Sequence, residues 1–278
     1  MSRHRQIRFA DGRQASVQEF GHEGEAVLLL PGAGADRMAL GLQGRALQED
    51  GLRAFSLDYP ELGLAPGPLP RDLADLVAYA CAALDALGVQ SCHLLGQSLG
   101  SRVAQEIALT RPERVRSLTL LATWGRQDAW LDLRAGIVSL IVRQPLPERL
   151  RLLPYFMASR PLVAQFASGS DTTLGLRGSR AVSDETMAHY LALAQGRDRL
   201  PQLRHLQVPC LVLGGERDLM TPWEYGQEVA QAIPGARFVR IDGEHASHLF
   251  HYELGERTNR EILAFLRDVR RPAQGGAN

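Results

Sequence analysis

The chain has 278 residues, and its 31 Lys and Arg residues balance 31 Asp and Glu residues, so the formal net charge at pH 7 is zero. This balance argues against a nucleic-acid or membrane surface as the partner, and we expect a small-molecule substrate. With 45% apolar and 22% charged residues, the composition is that of an ordinary globular protein, long enough to fold without disulfides.

The first part of the chain alternates short apolar runs with segments of helical spacing. Residues 5–10 and 14–20 flank Asp11-Gly12, a dipeptide that favours a hairpin turn, and they predict an antiparallel edge pair. Buried strands are predicted at residues 26–30, 52–57, 92–96 and 115–122, with helices at residues 38–48, 71–87 and 102–109 between them. Such alternation implies right-handed βαβ units in a mostly parallel sheet.

The alternation stops at Thr123, and the segment that follows lacks a buried-strand run. Helices are predicted at residues 129–143, 147–158, 160–167 and 184–195, the last with Ser183 as its N-cap, and a loop at residues 168–180. The apolar residues of this segment are expected to form mainly its own core, with some lining a substrate pocket: Trp124, Trp130, Ile137, Leu140, Tyr155, Phe156, Met157 and Phe166. We interpret residues 124–205 as a helical cap inserted into a core of residues 1–123 and 206–278.

The α/β alternation then returns for the rest of the chain. Strands are predicted at residues 210–213 and 237–241, helices at residues 223–233 and 254–269, and a frayed tail at residues 272–278. The predicted fold class is therefore α/β: a mostly parallel sheet flanked by helices, with an inserted helical cap.

Ser98 lies in the segment GQSLG, residues 96–100, where an apolar strand passes directly into a helical segment. Glycine at both ends leaves room for a sharp turn that exposes the serine hydroxyl. The free amide groups at the start of the helix suit a developing negative charge, and the backbone N–H of Leu99 is nearest to Ser98. The pattern predicts a nucleophilic serine.

A serine hydroxyl needs a base to become a nucleophile, and the base needs an acid to orient it. Asp218 follows a buried strand in the segment GGERDLMTP, and His245 follows the last predicted strand. Because the carboxyl ends of parallel strands meet at one edge of a sheet, we expect both side chains near Ser98.

Other residues of the same types keep alternatives open. Asp128 follows the preceding strand and competes with Asp218 as the acid. His248 and His251 compete with His245 as the base. Both lie deeper in the following segment, which favours a structural or pocket-lining role for them.

The G-x-S-x-G turn, the strand followed by G-E-x-D-x-x-T-P, and the later histidine together resemble the α/β-hydrolase superfamily, specifically its capped ester and lactone hydrolases. The resemblance covers nearly all of the chain except the cap. It implies a catalytic triad of Ser98, Asp218 and His245. It also implies an oxyanion hole formed by the backbone N–H groups of Ala33 and Leu99.

The chain departs from the superfamily pattern at three positions. Pro31-Gly32 stands where His-Gly is common, and Gln97 precedes the nucleophile where His or Trp is frequent. The superfamily usually has a Glu five residues after the base, and the residue five positions after His245 is Phe250. These departures bear on substrate class and efficiency, and none of them removes a triad member.

The resemblance implies a serine hydrolase that cleaves a carboxylic ester, lactone or thioester of a small hydrophobic metabolite. In this hypothesis the acyl-enzyme forms on Ser98, and His245 acts first as general base and then as general acid. The same residues also suit an acyltransferase, a C–C bond hydrolase, a lyase or a cyclase, because a fold does not fix a reaction. A third hypothesis is a receptor that binds a ligand in the same pocket without turnover.

Cys81, Cys92 and Cys210 lack paired spacing and lie in apolar patterns, so we expect buried thiols in a reducing compartment. The N-terminus has no apolar signal region and no stretch of 18 apolar residues follows, which predicts a cytoplasmic protein without membrane contact. No metal or cofactor is expected, since no H-x-x-x-H or paired-cysteine ligand set occurs. A homodimer stays possible.

Overall fold

The computed structural model describes residues 2–167, 182–196 and 198–271. The loop predicted at residues 168–180 and the tail at 272–278 lie outside these residues. Eight strands make one sheet in the order β1-β2-β4-β3-β5-β6-β7-β8. The strands are β1 (Ser2–Arg8), β2 (Gln14–Phe20), β3 (Ala26–Leu30), β4 (Arg53–Leu57), β5 (Cys92–Gln97), β6 (Val115–Leu121), β7 (Cys210–Gly215) and β8 (Arg237–Ile241).

The pairing within this sheet is mostly parallel, as the sequence predicts. Strand β2 pairs antiparallel with β1 and β4, and the remaining neighbours from β4 to β8 are parallel. The hairpin at Asp11-Gly12 closes through hydrogen bonds between Phe9 and Arg13 and from Gly12 N–H to the Phe9 carbonyl. The predicted fold class is confirmed.

Helices cover both faces of the sheet. The helices outside the β6–β7 connection are α1 (Gly41–Glu49), α2 (Leu73–Ala86), α3 (Leu99–Thr110), α10 (Trp223–Ala232), α11 (Phe250–Glu253) and α12 (Gly255–Arg270). Side chains of α2, α3 and α10 pack on one face with Leu28 and Leu30 of β3, whereas α1 and α12 pack on the other with Val27 and Leu29. The alternation along β3 is the period-two pattern of a strand buried on both sides.

Only helices occur in the described part of the connection between β6 and β7. They are α4 (Ala129–Val142), α5 (Leu146–Leu152), α6 (Pro154–Met157), α7 (Arg160–Ala167), α8 (Asp184–Ala194) and α9 (Leu200–Leu203), and we call them the helical insertion. Pro154 ends the single helix predicted at residues 147–158 and starts a second one, since proline suits only the first turn. Ser183 Oγ accepts from Thr186 N–H at 3.1 Å, which confirms it as the N-cap of α8. The division into a core of 1–123 and 206–278 and a cap of 124–205 stays a prediction.

Asp58 ties together the loops that follow β3 and β4. Its side chain is fully buried and accepts from the backbone N–H of Arg37 at 2.6 Å, from Arg37 Nη1 at 2.8 Å and from Leu64 N–H at 2.9 Å. The loop after β3 carries Ala33, so this carboxylate holds one of the predicted oxyanion donors in place.

Asp58→Asn is expected to lower the free energy of unfolding by about 2–4 kcal/mol, because it leaves the Arg37 guanidinium without its charged partner. Asp11→Asn is the matched control: it breaks an exposed ion pair with Arg13, and little or no change in stability is expected. Urea unfolding of the three proteins measures the difference. Equal losses for the two variants would contradict the anchoring role of Asp58.

Candidate active site

Ser98 lies on a sharp turn between β5 and α3. Its backbone has φ 53° and ψ −119°, a left-handed conformation that costs a side-chain-bearing residue about 1–3 kcal/mol. A Cβ at Gly100 would lie 1.9 Å from the Leu30 carbonyl oxygen, and one at Gly96 would lie 2.3 Å from the Gly100 carbonyl oxygen. Only glycine fits at these two positions, so the turn requires both residues of the motif.

A buried polar network holds this turn in its strained geometry. Ser98 N–H donates to the Leu121 carbonyl at 2.9 Å, and Ser101 Oγ donates to the Ser98 carbonyl at 2.6 Å. Ser101 Oγ also contacts Thr123 Oγ1 at 2.8 Å, to which Gln105 Nε2 donates at 2.7 Å. The start of α3 is therefore fixed to the end of β6.

Arg102 extends this network into the helical insertion. Its guanidinium is buried, donates to the Trp124 carbonyl at 3.0 Å and lies over the Trp124 ring. Burial lowers the pKa of Arg102 to about 10, so the group stays charged at neutral pH. The chain after β6 is thus held against α3 where the insertion begins.

Two backbone N–H groups close to Ser98 are free of protein acceptors in the part of the chain that the structure describes. In the described residues, neither the Ala33 N–H nor the Leu99 N–H donates to a protein acceptor. Leu99 is the first residue of α3, where orphan amides and the helix dipole favour negative charge. A Cβ built on Gly32 would lie 3.3 Å from Ser98 Cβ, so the loop that carries Ala33 lies directly against the turn.

Asp218 follows β7 at the same edge of the sheet and is fully buried. Its Oδ1 accepts from the backbone N–H groups of Met220 and Thr221, each at 2.8 Å. Its carboxylate accepts from Nδ1 of His248 at 2.8 Å and 3.0 Å. These bonds fix the imidazole orientation and leave the proton on Nδ1, so Nε2 carries the free lone pair.

The predicted pairing of His245 with Asp218 is wrong, because His248 takes that place. His245 is 44% exposed and directs Nδ1 at Glu253 Oε2 (3.3 Å) and Ser159 Oγ (3.4 Å). His248 is 2% exposed and faces Asp218. Of the two histidines, only His248 is therefore in place to act with Asp218.

The backbone path after β8 explains why the histidine beside Asp218 is His248 and not His245, which lies three residues earlier. The loop returns to the end of β7, where Arg217 N–H donates to the Ala246 carbonyl at 2.9 Å. A Cβ at Gly215 would lie 2.5 Å from the Ala246 carbonyl oxygen and 2.7 Å from that of Ser247. Residues 246–248 therefore lie on the strand end beside Asp218, and His245 precedes this contact.

One sequence signal could have found His248. The superfamily pattern has a Glu five residues after the base, and Glu253 stands at that distance from His248, whereas the residue after His245 at that spacing is Phe250. Glu253 accepts from Ser247 Oγ at 2.5 Å and from Ser159 N–H at 3.0 Å. It therefore braces the loop that carries His248.

The other two alternatives have structural surroundings. Asp128 caps α4 by accepting from the backbone N–H groups of Trp130 and Leu131, and it binds the hydroxyl of Tyr225 at 2.8 Å. It has no histidine partner in the described residues. His251 is buried, and burial lowers the pKa of His251 to about 3, so it stays neutral at physiological pH.

Gln97 connects His248 with the loop after β3. Its Nε2 lies 3.2 Å from His248 Nε2, and a Cβ on Gly32 would lie 2.4 Å from its Oε1. The amide therefore donates to the free lone pair of the imidazole. In the described residues Ser98 Oγ has no hydrogen-bond partner. The sequence marks Gln97 as a departure from the superfamily pattern, and the structure shows what it contacts.

The described residues give no support to thiol or metal chemistry. Cys92 and Cys210 are buried and Cys81 is partly buried, all as free thiols, and burial raises the pKa of Cys92 to about 12. Across residues 2–167, 182–196 and 198–271, no group of three or more His, Cys, Asp or Glu side chains could hold a metal ion.

The profile of the alpha/beta hydrolase fold family matches residues 25–252, which is most of the chain. The chain belongs to the α/β-hydrolase fold family. The match spans the strand end that carries Ser98, the loop that carries Asp218 and the loop that carries His248.

Proteins similar to this chain include hydrolases and enzymes named for other reactions. A putative carbamate hydrolase, RutD, from Pseudomonas savastanoi pv. phaseolicola is 30% identical over 69% of this chain and 76% of its own. A putative non-heme bromoperoxidase, BpoC, from Mycobacterium tuberculosis is 29% identical over 89% of this chain and 95% of its own. The crystal structure of BpoC covers 92% of this chain with a TM-score of 0.82 and 25% identity. An esterase from Exiguobacterium antarcticum, at 20% identity, shares the fold with a TM-score of 0.79.

The helices of the described residues include none that is both long and apolar enough to span a membrane.

Gly100→Ala is expected to lower the free energy of unfolding by about 3 kcal/mol or more, because its methyl group meets the Leu30 carbonyl at 1.9 Å. Gly136→Ala is the matched control, since Gly136 lies in α4 with nothing within 4 Å of a built Cβ, and it should be neutral or stabilising. Chemical denaturation followed by circular dichroism compares both with the parent. A Gly100→Ala protein as stable as the parent would contradict the close approach of α3 to β3.

Proposed function

We propose that this protein is a serine hydrolase that cleaves a carboxylic ester, lactone or thioester through an acyl-enzyme on Ser98. The observation that carries the proposal is the buried Asp218–His248 pair, whose free imidazole nitrogen lies beside Gln97, the residue that precedes Ser98. The hydrolase named among the relatives, the carbamate hydrolase RutD, supports the reaction class.

In the proposed first step, His248 Nε2 takes the proton of the Ser98 hydroxyl while Oγ attacks the substrate carbonyl carbon. The Gln97 amide leaves Nε2 so that Ser98 Oγ can take its place. The backbone N–H groups of Ala33 and Leu99 donate to the oxygen that becomes negative. Asp218 keeps the imidazole in the required tautomer and stabilises its positive charge.

In the proposed second half, His248 gives the proton to the leaving alcohol or thiol as the carbonyl re-forms and the leaving group departs. Water then attacks the acyl-enzyme, with its proton passing to His248 and finally to Ser98 Oγ. Each histidine protonation is matched by one release, so no external acid or base is consumed. The unbonded state of both oxyanion donors in the described residues supports this assignment.

Alanine variants of the two histidines test which of them acts as the base. His248→Ala and Ser98→Ala should each abolish labelling by a fluorophosphonate probe, because both remove part of the nucleophile system. His245→Ala should keep labelling within about threefold of the parent, since its exposed ring faces Glu253 and Ser159. Intact-protein mass after timed exposure to the probe measures all four proteins. Loss of labelling in His245→Ala with retention in His248→Ala would reverse the assignment.

Asparagine variants of Asp218 and Asp128 test which aspartate acts as the acid. Asp218→Asn should lower kcat for 4-nitrophenyl esters by about 10³–10⁴-fold, because the amide favours the wrong imidazole tautomer. Asp128→Asn keeps an N-cap of α4 and removes only the charge that pairs with Arg126, so it should change stability and kcat little. Steady-state turnover and thermal unfolding of both variants test this. Comparable loss of turnover in both would point to Asp128 as a second participant.

A further inference from the structure

The outer face of α4 forms one wall of an apolar pocket. The pocket has a volume of about 240 Å³ and one charged residue, Arg134. Its other lining residues are Trp130, Leu133, Ile137, Tyr155, Phe156 and Leu219. Pockets of this kind, apolar with a single polar group, bind small molecules and use the polar group for orientation.

Arg134 has no partner of opposite charge in this pocket. Its Nε is buried without a hydrogen-bond partner, and the described residues give its guanidinium no ion pair. Burial lowers the pKa of Arg134, while the charges of Asp218 and Tyr225 raise it. A part-buried cation without a partner is costly, and an anionic ligand would remove that cost.

Three other arginines with largely buried side chains are neutralised within the described part of the protein. The ion pairs are Arg37 with Asp58, Arg149 with Asp184 and Arg199 with Glu106. The acidic neighbours of Arg134 on its own helix are engaged elsewhere: Asp128 binds Tyr225 and Arg126, and Asp132 accepts from Gln127. The positive charge of Arg134 is therefore available to a ligand.

The pocket adjoins the candidate active site. Leu219, one of its wall residues, directly follows Asp218 in the chain. Met220, the next residue, packs against Val138 and Val142 of the same helix α4. Arg134 is close enough to Asp218 to respond to its charge. A molecule held at Ser98 and extending past the loop of residues 218–220 would lie beside this pocket, which has Arg134 in its wall.

We propose that the pocket between α4, α6 and Leu219 binds an anionic end of the substrate, so that the substrate class is an ester, lactone or thioester whose apolar acyl chain carries a carboxylate. The inference rests on the proposed function, because the same substrate is taken to react at Ser98. Arg134 is the specificity-determining residue, because a planar guanidinium binds a carboxylate in bidentate fashion. The apolar side chains around it hold the methylene chain.

The first experiment compares matched substrates. The charged ones are 4-nitrophenyl half-esters of adipic, suberic and sebacic acid, and the neutral ones are 4-nitrophenyl esters of monocarboxylic acids of the same chain length. Rates are corrected for the Ser98→Ala background. The quantity measured is the ratio of kcat/KM for the charged substrate to that for its neutral counterpart.

In Arg134→Met this ratio should fall by roughly 10- to 100-fold for the best chain length, the loss expected for a charged hydrogen-bonded pair. Arg134→Lys should keep part of the preference, since a point charge remains without the bidentate geometry. Arg143→Met is the matched control, because Arg143 follows the same helix and is exposed, and its ratio should equal that of the parent. An unchanged ratio in Arg134→Met would overturn the inference.

The second experiment keeps this test independent of turnover. Octanoate is titrated into the Ser98→Ala protein by calorimetry, with Trp130 fluorescence as a second signal and a Trp130→Phe protein as the control for that signal. Binding should weaken at least tenfold in Ser98→Ala/Arg134→Met. If no ester is turned over but octanoate binds through Arg134, the proposed function fails and the anion pocket stands. If esters are turned over and octanoate binding does not depend on Arg134, the pocket inference fails alone.

Discussion

The close approach of α3 to the end of β3 is the constraint on which the candidate site depends. The helix can start one residue after Ser98 only because Gly100 lets its backbone lie against the carbonyl of Leu30. This approach brings the first amide of the helix and the loop after β3 to the same side chain. The strained backbone of Ser98 is offset by hydrogen bonds from Ser101 and to Leu121.

Much of the fold could be predicted from the sequence because local and global signals agree. The apolar runs of β3, β5, β6 and β7 are buried on both faces, and each is bounded by turn residues or a helix of regular spacing. The positions of Ser98, directly after β5, and Asp218, shortly after β7, could be predicted because a residue close to a strand end has little freedom of placement. The unpredicted α9 is a single turn with no hydrophobic period to reveal it.

His248 could not be assigned in the same way because it lies in a loop, seven residues beyond the end of β8. In a loop the position of a side chain depends on where the backbone touches the rest of the fold. Here that contact is at Gly215, which lies on a different strand and more than 30 residues earlier in the chain. Periodicity carries no information about such a contact. The spacing to Glu253 does, since that carboxylate binds the same loop.

The helical insertion is joined to both loops that hold the Asp218–His248 pair. Through Ser159 it donates to Glu253, which braces the His248 loop, and through Val138 it packs on Met220, two residues after Asp218. Met187 of α8 lies against Gly34 in the loop that carries Ala33, since a Cβ there would be 2.2 Å from its methyl group. The insertion therefore contacts the loops that carry Asp218, His248 and Ala33, and the position of all three loops depends on its packing. Under the proposed function, a ligand held against α4 would contact the same helix that packs on Met220, so the pocket and the loop of Asp218 share one structural support.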